Sequence, residues 1–281
     1  MLDHKTDWVG KQLGDYRLLR LLIQHSIADV YVGEHVTRHN RVVLRLFHIA
    51  LRGEDHQDFL SEVQVLARLD HPHILRVLDV SVEDGIPFVV LDTTSFETLR
   101  QRHPHGTRLT PDMFTDYLKH VASALRYIHE QEIIHRNLRP ESIVFDAENE
   151  IALSDFSFAF PAHHSILVNT QELTEAVTEA VSYMAPEQIQ GNPGPASDQY
   201  ALGIVVYEWL CGKRPFYGSP AEIIEQQLSA SPPPLHEYVP DLAPALEAVV
   251  LRALAKAPEQ RFASVEEFVL ALGRAADNSE T

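Results

Sequence analysis

A polar loop at residues 135–137 and a carboxylate at Asp155 are the groups in this sequence whose types and spacing could do chemistry. An imidazole or a carboxylate can transfer a proton, whereas the side-chain amide of Asn137 cannot take a proton at neutral pH. Apolar runs at 143–145 and 151–153 lie between the two groups and flank a polar segment. This pattern predicts two short strands joined by a turn, with one polar group on each side of the hairpin.

The hairpin and its flanks resemble the protein kinase family, in which a catalytic loop H-R-D-L-x-x-x-N and a metal-binding D-F-G stand on such a hairpin. His135 and Arg136 match the loop, but Asn137 stands at the position of the catalytic Asp. Asp155 matches the Asp of D-F-G. The resemblance therefore implies that Asp155 could hold Mg²⁺ or Mn²⁺, but only if a nucleotide binds.

Three more positions of the hairpin region depart from the kinase pattern. Arg139 replaces the usual Lys of the Ser/Thr kinase loop, Ser142 replaces the metal-binding Asn, and Ser157 replaces the Gly of D-F-G. The resemblance thus implies that one of two metal ligands is lost.

The phosphate-binding glycines of the family are also replaced. The G-x-G-x-x-G positions hold Ile23, His25 and Ala28. Glycine at these positions lets backbone N–H groups approach the phosphates without a Cβ in the way. We expect Ile23 and His25 to occupy the space of the ATP phosphates and ribose, which leaves a plain hairpin connection packed by apolar side chains.

The remaining positions of the kinase ATP pocket are partly changed. Arg45 stands in place of the strand lysine, and a guanidinium is bulkier than an ammonium group. Val43 replaces the small Ala that roofs the adenine. Glu62 is suited to pair with Arg45 as a structural ion pair, and Asp92 and Thr94 fall at the hinge where adenine would meet the backbone.

Framework positions of the family are kept. The sequence has an A-P-E motif that ends at Glu187, and the resemblance implies that Arg261 pairs with this glutamate and that Asp198 anchors the catalytic-loop backbone. Ala180, by contrast, stands where Ser/Thr kinases carry the Thr that holds the catalytic Asp. The preceding activation segment is expected to be irregular and mostly polar. The spine positions implied by the resemblance are Leu66, Val77, His135 and Phe156.

The expected fold class is α+β, a protein-kinase-like two-lobed fold with a small antiparallel sheet lobe, one main helix in it, and a larger helical lobe. The expected segments are an N-terminal extension at 1–15, a kinase-like domain at 16–272 with lobes at 16–92 and 95–272, and a polar tail at 273–281. Apolar patterns predict strands at 16–22, 29–34, 41–49 and 86–91 and helices at 58–69, 113–131, 243–254 and 264–272.

Composition limits the partners. The 281 residues carry 23 basic and 40 acidic side chains, a formal charge of −17, which disfavours nucleic acid and anionic lipid. The start of the chain has no apolar core of a signal peptide, and the apolar run at 200–211 is shorter than the ~20 residues of a membrane span. With one cysteine, Cys211, the sequence predicts a cytoplasmic protein with no membrane segment in this chain.

The favoured hypothesis is a pseudokinase, which binds or scaffolds another protein, with a related kinase as one candidate partner. It is expected to bind ATP weakly or not at all. Two alternatives stay open: a slow or unorthodox Ser/Thr protein kinase that uses Asp155 and a relocated base, and another nucleotidyl or phosphoryl transfer on the same fold.

Overall fold

The computed structural model of the chain describes residues 8–24, 28–48, 54–92, 97–146, 148–156 and 171–277. These residues form two compact units, one built mainly from residues up to Glu97 and the other mainly from residues after it. The bounds lie near the two lobes expected from the sequence.

The first unit is built on an antiparallel sheet, which has six strands among the described residues, in the order β1-β2-β3-β4-β6-β5. The strands are β1 Gln12–Leu13, β2 Tyr16–Gln24, β3 Ala28–His35, β4 Arg41–Phe47, β5 Val77–Glu83 and β6 Ile86–Leu91. Their apolar side chains form one core, which contains Leu13, Tyr16, Leu18, Tyr31, Val42, Leu44, Leu46, Phe88 and Val90.

One helix of the first unit, α1 (Glu54–Leu66), begins four residues before the predicted start at residue 58. Phe59, Val63 and Leu66 recur at the helical interval and are buried, which is the pattern of a helix with one apolar face. Five polar residues precede Phe59 in this helix. Because they include no apolar residue, the apolar periodicity does not predict the first turn.

The helices from Leu99 onward are α2 Leu99–Arg102, α3 Pro111–His129, α4 Gln171–Val181, α5 Pro186–Ile189, α6 Pro195–Cys211, α7 Pro220–Ser229, α8 Pro244–Ala253 and α9 Val265–Asp277. Helix α6 is buried on every side from Ser197 to Cys211. Such all-round burial fits its mostly apolar sequence and makes α6 the central helix of the second unit. None of the helices in the described ranges is long and apolar enough to cross a membrane.

A second sheet holds the hairpin that carries the polar loops. Its strands, in the order β7-β8-β9, are β7 Glu97–Thr98, β8 Ile143–Phe145 and β9 Ile151–Leu153. The two hairpin strands coincide with the predicted runs. In the turn, the Asp146 carboxylate accepts hydrogen bonds from the backbone N–H of Glu148 at 3.0 Å and of Glu150 at 2.9 Å.

Two expectations need correction. The segment before the A-P-E motif is helical at α4, not irregular as predicted, because Gln171–Val181 is rich in Glu and Ala and has no Gly or Pro. Helix α9 continues to Asp277, past the predicted end at 272, and Ala275 in the added turn is buried. The α+β class itself is confirmed.

Candidate functional site

Asp198, near the start of α6, fixes the backbone of the polar loop. Its buried carboxylate accepts hydrogen bonds from the backbone N–H of His135 and of Arg136, both at 2.9 Å, and lies 2.7 Å from Nε2 of His129. Arg136 has φ of 63°, a left-handed conformation that is unfavourable for a residue with a Cβ. Asp198 therefore holds a strained loop, and the predicted anchoring role is confirmed.

His135 is a framework residue in this loop. Its fully buried ring has Nε2 2.9 Å from the carbonyl of Ser154, while Nδ1 lies 3.3 Å from the backbone N–H of Asn137. Because Nε2 must donate and Nδ1 must accept, the ring is neutral with its proton on Nε2. Burial lowers the pKa of His135, in agreement with this form. The ring also packs on Phe156, with centroids 4.6 Å apart.

Asn137 points its amide at the backbone of the D-F-S segment. Nδ2 donates to the carbonyl of Asp155 at 3.1 Å. Asp155 is partly buried and has φ of 59°, so this hydrogen bond supports a second left-handed residue. A carboxylate at position 137 has no proton to donate and could not make this contact.

The side chain of Ser142 hydrogen-bonds to the backbone that follows the polar loop. Its hydroxyl accepts from the backbone N–H of Arg139 at 3.1 Å and donates to the carbonyl of the same residue at 2.9 Å. The residue is fully buried, so the hydroxyl serves the turn. Of the two metal-binding positions of the family, only Asp155 offers a carboxylate, whereas Mg²⁺ requires close to octahedral oxygen coordination.

A depression lies beside the loop, lined in part by Asn137, Arg139 and Ala180. Nε of Arg139 is 3.9 Å from Oε2 of Glu141. Ala180 contributes only a methyl group and so cannot hydrogen-bond to the residue at position 137. Arg136 also lines the depression, and its carbonyl accepts from Nε2 of Gln188 at 2.7 Å.

The nucleotide positions on the strands lie in the first unit. Arg45 is 8 % exposed, and its guanidinium is 5.3 Å from the Phe47 ring centroid. Val43 is fully buried, and Ala28 is fully buried too, whereas Ile23 at the end of β2 is partly exposed. The side chain of Val43 is thus packed inside the first unit.

Asp92 follows β6 and is exposed, and its backbone N–H donates to the carbonyl of Arg76 at 2.9 Å. The backbone N–H of Asp92 is therefore already hydrogen-bonded to the residue that precedes β5. His25, Thr94 and the side chain of Glu62 lie outside the described residues, so the predicted Arg45–Glu62 pair stays a prediction.

A buried ion pair joins the A-P-E motif to Arg261, which lies between helices α8 and α9. Nη1 of Arg261 lies 2.7 Å from Oε1 of Glu187 and Nη2 lies 2.8 Å from Oε2, while the Ser197 hydroxyl donates to Glu187 at 2.7 Å. Burial alone would raise the pKa of Glu187, but the hydrogen bonds from Arg261 and Ser197 outweigh it and lower that pKa. The predicted Arg261–Glu187 pair is confirmed.

With this geometry, comparison with known proteins identifies the family. Residues 16–269 match the family described as protein kinase domain. The chain belongs to the protein kinase family. The predicted two-lobed α+β kinase fold is thereby confirmed.

The similar proteins include named bacterial kinases. This kinase domain is 30% identical over 264 residues to the serine/threonine-protein kinase PrkC of Bacillus subtilis, an alignment that covers 92% of this chain and 40% of that protein. It is 33% identical over 276 residues to PknF of Mycobacterium tuberculosis, which covers 94% of the chain and 57% of PknF. For Pkn1 of Myxococcus xanthus the identity is 33% over 280 residues, with 94% and 38% covered. The chain thus spans between 38% and 57% of the length of these curated relatives.

Sequence reasoning missed a charged network in the second unit of the kinase domain. Arg100 binds both oxygens of Glu208, at 2.8 and 3.0 Å, and its Nε lies 2.8 Å from Glu141. The Tyr183 hydroxyl donates to Glu208 at 2.6 Å. Burial alone would raise the pKa of Glu208. The hydrogen bonds from His105 and Arg100 outweigh this effect and lower the pKa of Glu208 to about 2. In the sequence, the one sign of this network is Glu208, an acidic residue within the apolar run at 200–211.

Part of this network has the residue types of a metal site. His105, Glu141 and Glu179 bring potential ligand atoms within 4.8 Å of one another. However, Glu141 is paired with Arg100, and Glu179 is paired with Arg214 at 3.0 Å. Because guanidinium groups already neutralise both carboxylates, the cluster is best described as an ion-pair network.

Proposed function

We propose that this kinase domain is catalytically impaired and acts as a pseudokinase, by binding another protein. The observation that carries the proposal is the hydrogen bond from Asn137 Nδ2 to the carbonyl of Asp155. The side chain at the base position is an amide that donates, so it cannot accept the proton of a substrate hydroxyl. A positioned base contributes about 10² to 10⁴ in rate.

Two further positions support impairment. The Ser142 hydroxyl is bound to the backbone of Arg139, and Ala180 lacks the hydroxyl of the expected Thr. Phosphoryl transfer depends mainly on positioning and on charge neutralisation by metal ions. Changes at the base, at one metal ligand and at the substrate-positioning residue therefore act on the same step.

The same proposal extends to the cofactor. We expect ATP to bind weakly or not at all, since Ile23 stands at the first phosphate-loop glycine position and Val43 at the adenine roof. If a nucleotide does bind, Asp155 is the residue that would hold its Mg²⁺ or Mn²⁺ ion. No step of the proposed function depends on that ion.

The proposed partner is a protein, with a related kinase as one candidate. This part rests on the survival of the framework contacts, of which the His135–Phe156 stacking and the Glu187–Arg261 pair are examples. Phe156→Asp should therefore abolish capture of the partner, whereas Asp155→Ala should leave it intact. The acidic charge and the single cysteine, Cys211, are consistent with a cytoplasmic setting, which stays a part of the proposal.

A Ser/Thr protein kinase is the second candidate, because the similar proteins carry that name. Asp155 and a cation at position 45 also remain in place. In this hypothesis another group would take the role of the base. His135 is poorly placed for it, because both of its ring nitrogens are hydrogen-bonded within the loop.

Radiolabelled ATP distinguishes the two candidates. The purified chain is incubated with γ-labelled ATP, Mg²⁺ or Mn²⁺, and the generic substrates casein and myelin basic protein, beside the matched variant Asp155→Ala. The pseudokinase proposal predicts equal, background incorporation for both proteins. Incorporation that is lost in Asp155→Ala would establish the kinase.

A further inference from the structure

His105 lies between two acidic side chains that belong to different helices of the second unit. Its Nδ1 is 3.1 Å from Oε1 of Glu208 in α6, and its Nε2 is 3.6 Å from Oε1 of Glu179 in the last turn of α4. The imidazole is 52% exposed, whereas Glu208 is 4% exposed. An accessible ring thus connects a buried carboxylate to the end of the activation-segment helix.

The protonation state of the ring decides whether both contacts are favourable. An ionised carboxylate only accepts hydrogen bonds, and a neutral imidazole has a single N–H. In the neutral form, one ring nitrogen would point a lone pair at a carboxylate oxygen. Only the doubly protonated ring presents a donor to Glu208 and to Glu179 together. We propose that His105 is a pH-dependent clip that holds the last turn of α4, at Glu179, to helix α6, at Glu208.

Both carboxylates also bind groups other than His105. Glu208 accepts from Arg100 and from the Tyr183 hydroxyl, as described above. Glu179 lies 3.0 Å from Nη1 of Arg214. Glu208 and Glu179 therefore each keep at least one contact that does not involve His105.

The other charged groups around the ring are balanced. Glu141 lies near His105 and is paired with Arg100, and Arg139 is 3.9 Å from Glu141. The cluster then contains three carboxylates, of Glu141, Glu179 and Glu208, and three guanidinium groups, of Arg100, Arg139 and Arg214. A proton on His105 adds one positive charge beside the two carboxylates that it faces.

The clip acts on a short segment. The Tyr183 hydroxyl donates to Glu208, and Nε2 of Gln227 donates to the carbonyl of Ser182 at 2.8 Å; neither hydrogen bond involves His105. Loss of the proton on His105 therefore loosens the turn at Glu179 without unfolding the domain. Histidine side chains in general change charge between pH 5 and 8, so the test compares one pH value near each end of that range.

Amide hydrogen exchange of residues 177–184 tests the clip. The chain is compared at pH 5.5 and pH 8 after correction for the intrinsic exchange rate. We expect about two- to fivefold more protection at the lower pH, which is the factor of an exposed ion pair. His105→Ala and Glu179→Gln should each abolish this difference, and His103→Ala, on the same loop, should keep it.

The variants are expected to fold, because His105 is half exposed, and thermal unfolding checks this. The proposal is overturned if the wild-type segment shows equal protection at both pH values. It is also overturned if His105→Ala keeps the wild-type difference.

Discussion

The side-chain amide of Asn137 donates a hydrogen bond to the main-chain carbonyl of Asp155 at 3.1 Å. The contact joins the base position of the catalytic loop to the residue expected to hold the metal. It also supports Asp155 in a left-handed conformation, with φ of 59°. Asn137 therefore has a structural role that an aspartate could not take over.

Asn137→Asp should destabilise the domain without restoring activity. The variant loses the hydrogen bond and places a carboxylate near a carbonyl oxygen, which should lower the free energy of unfolding by about 1–3 kcal/mol. Urea denaturation measures the change. Asn137→Ala loses the bond without adding a charge and should cost less. A variant as stable as the wild type would show that the amide is dispensable.

Glu187→Gln should be strongly destabilising. The side chain of Arg261 is fully buried against Glu187, so removing one partner leaves an uncompensated charge, at a cost of about 3–5 kcal/mol. Asp116→Asn is the matched control, since the Asp116–Lys119 pair spans a similar distance, 3.1 Å, on the surface. Its expected cost is below about 0.5 kcal/mol. Equal costs for the two variants would contradict a structural role for the buried pair.

Local patterns in the sequence predict the hairpin well. The apolar runs at Ile143–Phe145 and Ile151–Leu153 and the polar turn between them carry their own signal, and the strands fall where predicted. The roles of Asp198 and Arg261 came from the order of kinase motifs, because their partners are distant in sequence. Resemblance thus supplied contacts that periodicity cannot.

The charged network around Glu208 could not be predicted in the same way. Arg100 and Glu208 are 108 positions apart, and Arg100 and Glu141 are 41 apart, so no repeating pattern links them. Similarly, the hydrogen bond of Asn137 depends on backbone conformations at Arg136 and Asp155 that residue types alone do not specify. Helix α4 is not predicted either, because Gln171–Val181 lies in a mostly polar segment that resembles a kinase activation segment.

Glu208→Gln should remove a pH-dependent part of the stability. The pKa of Glu208 is lowered in the fold from its usual value of 4.5 to about 2, so its contribution is fully present above pH 4.5 and is lost as the pH falls towards 2. At pH 7 the variant should lose about 3 kcal/mol, because each unit of the pKa shift corresponds to about 1.4 kcal/mol; Arg100 keeps Glu141 as its remaining carboxylate partner. Urea denaturation of both proteins at pH 7, 5, 4 and 3 should show this difference shrinking with acidity. A difference that stays constant down to pH 3 would mean that Glu208 is not held in its ionised form.

Thermal shift with ATP should reveal little or no binding. A ligand at 100 times its dissociation constant adds about 2.7 kcal/mol, and each kcal/mol raises Tm by roughly 2–4 °C for a domain of similar size. We expect a shift below about 1 °C at millimolar ATP with Mg²⁺ or Mn²⁺, because Ile23 replaces a phosphate-loop glycine and Ser142 is engaged by the backbone of Arg139. Asp155→Ala is the control for any metal-dependent shift. A shift of several degrees that needs the metal and disappears in Asp155→Ala would show a working nucleotide site, and Ile23→Gly would then test whether that side chain limits the affinity.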